Sequence, residues 1–277
     1  MYRVSKVLNN NGVIAIDMDE NKEYVILGKG VGFGKKVSQR FDKPEGCTTY
    51  RLEPETERGS AKELVKGIEP EYLEIADAIL TESQKVFGDS IDRGILFPLA
   101  DHISFAVARI RRNEQISNPL TEDIKVLFYS EFKVAETLKT ILRERLQIEI
   151  DDHEVGYVAL HIHSAIGDEK VSVAMQTARA VRECIDMIEK ATGKPIDVLS
   201  LSYNRLMNHM KYMVARASTG EKLNLDMNEY MLDQYPQAYK VATDICKNLE
   251  GCIGHNLDET ETGYLAMHIQ RVYKDAV

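Results

Sequence analysis

Two pairs of histidines recur at one fixed spacing, and the recurrence is the strongest chemical signal in the chain. The segment Leu99-Ala-Asp-His102-Ile-Ser-Phe-Ala-Val-Ala-Arg109 returns as Leu206-Met-Asn-His209-Met-Lys-Tyr-Met-Val-Ala-Arg216, and Glu154-Val-Gly-Tyr-Val-Ala-Leu-His161-Ile returns as Glu261-Thr-Gly-Tyr-Leu-Ala-Met-His268-Ile. The step from His102 to His209 equals the step from His161 to His268. Near pH 7 a neutral imidazole can ligate a metal, shuttle a proton or accept a phosphoryl group. The metal reading lacks an H-E-x-x-H pair, and His161-x-His163 points two rings to different sides of a helix, so only a zinc site shared between helices remains as an alternative. No G-x-S-x-G marks a serine hydrolase. Phosphoryl acceptance fits the duplication, because two histidines in each of two copies can read two inputs of opposite sign. Arg109 and Arg216 follow their histidines by seven residues, two helical turns on the same face, and are candidates to neutralise a phosphate. Tyr157 and Tyr264 precede His161 and His268 by four residues, placed to orient a ring or simply to pack. The plain alternative is a set of packed core histidines, since duplicated core positions also recur.

Helices must position these residues. From Glu71 onward apolar residues recur at helical spacing, as in Tyr72, Ile75, Ala76, Ile79 and Leu80, and again in Ile103, Ala106, Val107 and Ile110. Turn signals at Gly88-Asp89, Asn118-Pro119, Gly167-Asp168, Gly193-Lys-Pro195 and Ser218-Thr-Gly220 cut this region into two bundles of about five helices each. The chain before Glu55 reads differently. Runs at Tyr2 to Leu8, Gly12 to Met18, Lys22 to Leu27 and Cys47 to Leu52 alternate or are β-branched, with turn clusters between the first three. The expected architecture is a small N-terminal antiparallel β-sheet domain (1–58), a charged linker (59–68) and two duplicated all-α bundle domains (69–170 and 171–277). Four short strands bury little surface alone, so the sheet is expected to dimerise.

Composition narrows the class. With 44% hydrophobic and 29% charged residues, the chain can build real cores and is not broadly disordered. No apolar run approaches the roughly 18 residues of a spanning helix, and the first residues are too polar for a signal peptide, so a cytoplasmic protein with no membrane insertion is expected. Cys47, Cys184, Cys246 and Cys252 form no C-x-x-C pair and read as reduced thiols; no cofactor is implied. The net charge of −9 argues against nonspecific nucleic-acid binding, but residues 1–43 hold eight Lys/Arg against five Asp/Glu, which leaves −12 for the remainder. Any nucleic-acid site should therefore lie in the N-terminal sheet.

The run Gly28-Lys-Gly-Val-Gly-Phe-Gly34-Lys-Lys36 lacks the spacing of a phosphate loop, and no helix is promised after it for a dinucleotide fold. It suits an RNA-contact loop: glycines admit a close backbone, Phe33 offers a stacking face, and Lys29, Lys35 and Lys36 meet phosphates. A flexible β-loop without a ligand is the bland alternative.

These residues, together with Lys6-Val-Leu-Asn-Asn-Asn11, Asp101-His102-Ile, Ala159-Leu-His161-Ile-His163 and Ala266-Met-His268-Ile-Gln-Arg271, resemble in order and over the whole chain the transcriptional antiterminators of the BglG/SacY/LicT kind. The resemblance implies a co-antiterminator RNA-binding domain working as a β-sheet homodimer, followed by two phosphotransferase-system regulation domains. It implies a regulator, not an enzyme, that binds a ribonucleic antiterminator hairpin in nascent mRNA and precludes an overlapping terminator upstream of a sugar-transport operon. Carried over by position, it implies RNA contacts at Lys6, Asn11, Gly28, Lys29 and Phe33, with phosphate contacts at Lys35 and Lys36. It also implies phosphorylation of His102 and His161 by the EIIB part of a sugar permease, usually inactivating, and of His209 and His268 by HPr, often activating. The chain departs from the family pattern at Ala100, at Asn208 opposite Asp101, and at His163, whose counterpart is Gln270. Two other readings stay open: a helical metal-dependent enzyme with a β appendage, and an RNA-binding dimer that phosphorylation does not regulate.

Overall fold

The computed structural model describes residues 1–52, 65, 67–167, 170–193, 195–197 and 200–275. The linker expected at 59–68 and the end of the N-terminal domain lie almost wholly outside these residues. Five antiparallel strands form the N-terminal sheet: β1 (Tyr2–Asn9), β2 (Gly12–Asp17), β3 (Lys22–Leu27), β4 (Arg40–Phe41) and β5 (Thr48–Arg51), in the order β4-β1-β2-β3-β5. Four were expected from pattern. The fifth, β4, has two residues and is too short to show an alternation. Its Phe41 joins Val4, Val13, Ala15, Ile26, Val31 and Cys47 in one buried cluster, so period-two burial on β2 and the apolar end of the glycine loop share a core.

Eleven α-helices follow among the described residues: α1 (Pro70–Phe87), α2 (Leu96–Arg111), α3 (Thr121–Leu127), α4 (Tyr129–Ala135), α5 (Thr137–Leu146), α6 (Asp152–Gly167), α7 (Val171–Thr192), α8 (Leu201–Thr219), α9 (Asn228–Gln234), α10 (Pro236–Ile253) and α11 (Thr260–Asp275). About five helices per copy were expected, and the register of the repeat holds, with one change. The segment 129–146 is interrupted at Glu136, whereas its counterpart α10 is continuous. Local chemistry sets the ends. Asp151 Oδ1 accepts from the backbone N–H of His153 and Glu154 at the start of α6, and Asp258 Oδ1 accepts from Thr260 at the start of α11. Ser200 caps α8 through the Tyr203 N–H, and Gly220, at φ 73°, ends it in the left-handed conformation that costs other residues most.

The chain divides into two compact units, Met1–Asn118 with Ser130–Glu169, and Pro119–Tyr129 with Lys170–Val277. In the first unit α2 packs on α1 and α6. There the sheet is tied to helix α1 by Tyr50, whose hydroxyl donates to Asp77, while Arg93 donates to the Tyr50 oxygen (2.7 Å) and pairs with Asp77 (2.9 Å). In the second unit α10 packs on α7 and α11, and α8 on α11. The third helix departs from the repeat. Helix α9 packs on α10 and α11, but α3, its counterpart by position in the repeat, packs on α7 and α8, where Tyr203 Oη donates to Asp123 at 3.4 Å. Burial pushes the Asp123 carboxyl up to about 6. Residues 119–129 thus group with the second copy in the compact units.

Candidate functional site

Each repeat brings its two histidines together from separate helices. In the first unit His102 on α2 and His161 on α6 have ring centroids 5.3 Å apart, and Tyr157 lies 5.8 Å from His102. In the second, His209 on α8 and His268 on α11 stack at 4.8 Å with rings 18° apart, beside Tyr264 at 5.2 Å from His209. Tyr157 thus faces the partner histidine of the other helix, which the four-residue spacing alone did not disclose. Near the start of α6 and of α11 sits a carboxylate whose role the sequence left unread. Glu154 accepts from Arg109 Nη2 at 2.8 Å, with His102 Nε2 3.5 Å away; Glu261 accepts twice from Arg216, at 2.6 and 3.0 Å, with His209 Nε2 3.6 Å away.

Arg109 and Arg216 each pair with a buried carboxylate beside the histidines. Burial raises the affinity of the Glu154 carboxyl for its proton, but hydrogen bonds from His102 and Arg109 outweigh it and hold the group below the usual carboxylate range. Burial, reinforced by the His268 ring and Arg216, depresses His209 to about 3; burial, with Arg271 and Arg205, depresses His268 to about 4. Both rings are neutral at pH 7 with a lone pair free, the state a nucleophile needs. His163, the unmatched histidine, places Nδ1 2.9 Å from Glu131 Oε1. The counterparts of both are Gln270 and Ala238, so this pair belongs to the first copy alone.

A pH dependence follows. For a histidine whose folded pKa is depressed, stability is fully present above the unfolded value of about 6.5 and is lost as pH falls toward the folded value. Two such groups lower the stability of the second unit by about 2.5 kcal/mol between pH 7 and 5.5. Calorimetry over that range should show the loss, and a His209→Gln/His268→Gln variant should not. An equal loss in the variant would place the effect elsewhere.

The sheet presents the second set of candidates. Asn11 anchors the glycine loop: its Oδ1 accepts from Gly30 N–H at 3.0 Å, its carbonyl from Gly28 N–H at 2.9 Å, and the Asn10 carbonyl from Gly32 N–H at 2.9 Å. Lys29, Phe33 and Lys36 stand exposed on that loop, Phe33 by 74%, and Lys6 is exposed on β1. Lys35 is partly withdrawn, with Nζ 5.0 Å from the Phe41 ring centroid. The Asn9 and Asn11 amides also donate to Glu74 of α1, at 2.7 and 3.2 Å, and Arg145 lies 3.6 Å from that carboxylate. Nothing in the sequence marked Glu74, a surface-type residue on an amphipathic helix. Among the described residues, no group of three His, Cys, Asp or Glu is arranged to hold a metal ion, and no helix is long and apolar enough to cross a membrane.

A sheet with an exposed basic loop, followed by two helical copies each centred on a histidine pair, has the division of labour of a regulator: one module binds and a duplicated module responds. Comparison with known proteins agrees. Residues 2–58 match the CAT RNA binding domain, and residues 77–165 and 182–272 match the PRD domain. The GlcA/glcB genes antiterminator of Staphylococcus carnosus (strain TM300) is 30% identical over 97% of this chain and 94% of its own length. The transcription antiterminator LicT of Bacillus subtilis (strain 168) is 27% identical over 99% and 100%. A crystal structure of GlcT CAT-PRDI superposes with a TM-score of 0.52 at 28% identity, covering 60% of this chain and 98% of that one. The chain belongs to the family of RNA-binding transcriptional antiterminators that join a CAT domain to PRD domains.

Proposed function

We propose that this antiterminator clamps a hairpin in nascent mRNA between two copies of its N-terminal sheet, precludes a terminator upstream of a sugar-transport operon, and is switched by phosphorylation of His102, His161, His209 and His268. The working modules are a CAT domain over 1–58, a linker over 59–68 and regulation domains over 69–170 and 171–277, acting in the cytoplasm as a homodimer. The observation that carries the reading is the histidine pairing: in both copies two rings from separate helices meet, at 5.3 and 4.8 Å, beside an arginine paired with a buried glutamate, as a charge-sensitive switch requires. Phosphate on the first copy, donated by EIIB, drives the paired domains apart; phosphate on the second, from HPr, favours the active dimer. The hairpin is contacted by Lys6, Asn11, Gly28, Lys29, Phe33, Lys35 and Lys36. Because the Asn11 amide is engaged by Glu74 in this structure, RNA that takes it exchanges a carboxylate for a ligand group.

The test is phosphopeptide mapping of the purified chain after incubation with phosphoenolpyruvate, enzyme I and HPr, with and without an EIIB, beside hairpin binding on the same samples. Phosphate on any of the four histidines together with altered hairpin affinity supports the switch; hairpin binding that ignores all four sites overturns it. In the same assay Phe33→Ala should weaken the hairpin roughly tenfold, in keeping with about 1–3 kcal/mol for a stacked base, and leave the sheet folded. An unchanged affinity removes the stacking contact.

A further inference from the structure

The two histidine sites are not equivalent, and we propose that the second is a phosphate receptor in which Arg205 and Arg271 hold the phosphoryl dianion, a capacity the first copy lacks. The inference rests on the reading of these histidines as phosphoryl acceptors and assigns a role to residues outside the repeat pattern.

A cleft of about 400 Å³ opens between α8 and α11 over His209 and His268, with Arg205 on one helix and Arg271 on the other among its lining residues. Both rings are more than nine-tenths buried, at 7% and 8% exposure, yet His209 Nε2 and His268 Nδ1 make no hydrogen bond among the described residues. A buried polar atom without a partner is costly unless a ligand or water completes it. Arg216 is spent on Glu261, but Arg205 and Arg271 pair with no carboxylate among the described residues. Two uncommitted guanidiniums over two neutral rings form an anion site, since the planar fork matches phosphate oxygens and repels a metal cation.

The corresponding positions in the first copy are Pro98 and Ser164, and Asn208 is there Asp101. Arg205 and Arg271 therefore place two positive charges beside the second histidine pair that Pro98 and Ser164 do not supply beside the first. A phosphoryl group adds about −1.5 to −2, which two guanidiniums offset. One modification thus meets its counter-charge in the second copy and finds no counterpart of those two arginines in the first.

The experiment uses the full chain, with Arg205→Gln/Arg271→Gln and the reciprocal Pro98→Arg/Ser164→Arg beside the wild type. One arm titrates inorganic phosphate and follows the imidazole resonances of all four histidines. The other arm uses phosphoramidate: its P–N bond breaks as the histidine N–P bond forms, and the ring proton leaves with ammonia. The lifetime of each phosphohistidine is then read by mass spectrometry. Free phosphate should move the His209 and His268 signals and not those of His102 and His161. The double arginine variant should weaken that binding roughly tenfold or more, as the loss of charge-assisted hydrogen bonds requires, and shorten the second-copy phosphohistidine lifetimes. The reciprocal variant should lengthen the first-copy lifetimes. Arginine dependence in the phosphoramidate arm alone still supports the receptor and identifies its ligand as the group carried on the ring. Lifetimes and titrations that ignore both arginines overturn it while leaving the acceptor reading intact. Failure of every histidine to take a phosphoryl group, with arginine-dependent phosphate binding retained, overturns the acceptor reading and leaves the receptor standing. Both arginines are solvent-exposed, so the variants keep the fold, which circular dichroism checks.

Discussion

Glu261→Ala should destabilise the second helical unit by about 3–5 kcal/mol, the cost of leaving one partner of a buried ion pair without the other. Glu261 is 1% exposed and takes both hydrogen bonds of the Arg216 fork, so its removal strands a guanidinium beside two imidazoles that burial already keeps neutral. Solvent compensates little, because the arginine side chain is itself only 15% exposed. Denaturant unfolding of the full chain measures the loss. A companion Glu261→Ala/Arg216→Met variant should recover much of it, since replacing both members of a buried pair by apolar groups is often close to neutral. A loss below about 1 kcal/mol in the single variant would mean that the pair anchors nothing.

Gly32→Ala should abolish the glycine loop as a binding surface. A Cβ built at Gly32 lies 2.0 Å from the Asn9 carbonyl oxygen and 3.1 Å from that of Gly12. Both are backbone atoms of the β1–β2 turn, so no side chain can swing aside. The loop must lift, breaking the Gly32 N–H bond to Asn10 and carrying Lys29, Phe33 and Lys36 away from their positions. We expect hairpin affinity to fall by about a hundredfold, close to ~3 kcal/mol, with a stability loss of about 2 kcal/mol or more in the sheet. Gly30→Ala is the contrast: its Cβ meets nothing within 4 Å, and only the left-handed backbone, φ 75°, costs about 1 kcal/mol. Equal behaviour of the two variants, read by hairpin binding and by the amide spectrum of the loop, would remove the steric argument.

The sequence made some of this legible and hid the rest for physical reasons. The histidine pairs could be read because duplication kept each ring, its arginine and its helix in one register, His102 with Arg109 and His209 with Arg216. Glu154 and Glu261 recur in the same segments, but an acidic residue in the first turn of a helix is so common that its burial against an arginine is not readable from position. Arg205 and Arg271 were invisible to a search for repeats because they break one. Strand β4 has only two residues, and its contribution is a ring placed by a long loop, so no periodicity announced it. Glu74 meets Asn9 and Asn11 from a distant part of the chain, a tertiary fact without a local signature.

Duplication copied a whole helical unit, and the natural assumption is that what is inherited together folds together. The third helix says otherwise. Residues 119–129 descend with the first copy but fold with the second, burying Asp123 against Tyr203. Ancestry and autonomy are thus offset by one helix. A fragment cut at the edge of the repeat would carry both second-copy histidines yet leave the floor under α7 and α8 behind, and any attempt to graft this regulatory half onto another binding domain must take a piece of its sibling with it.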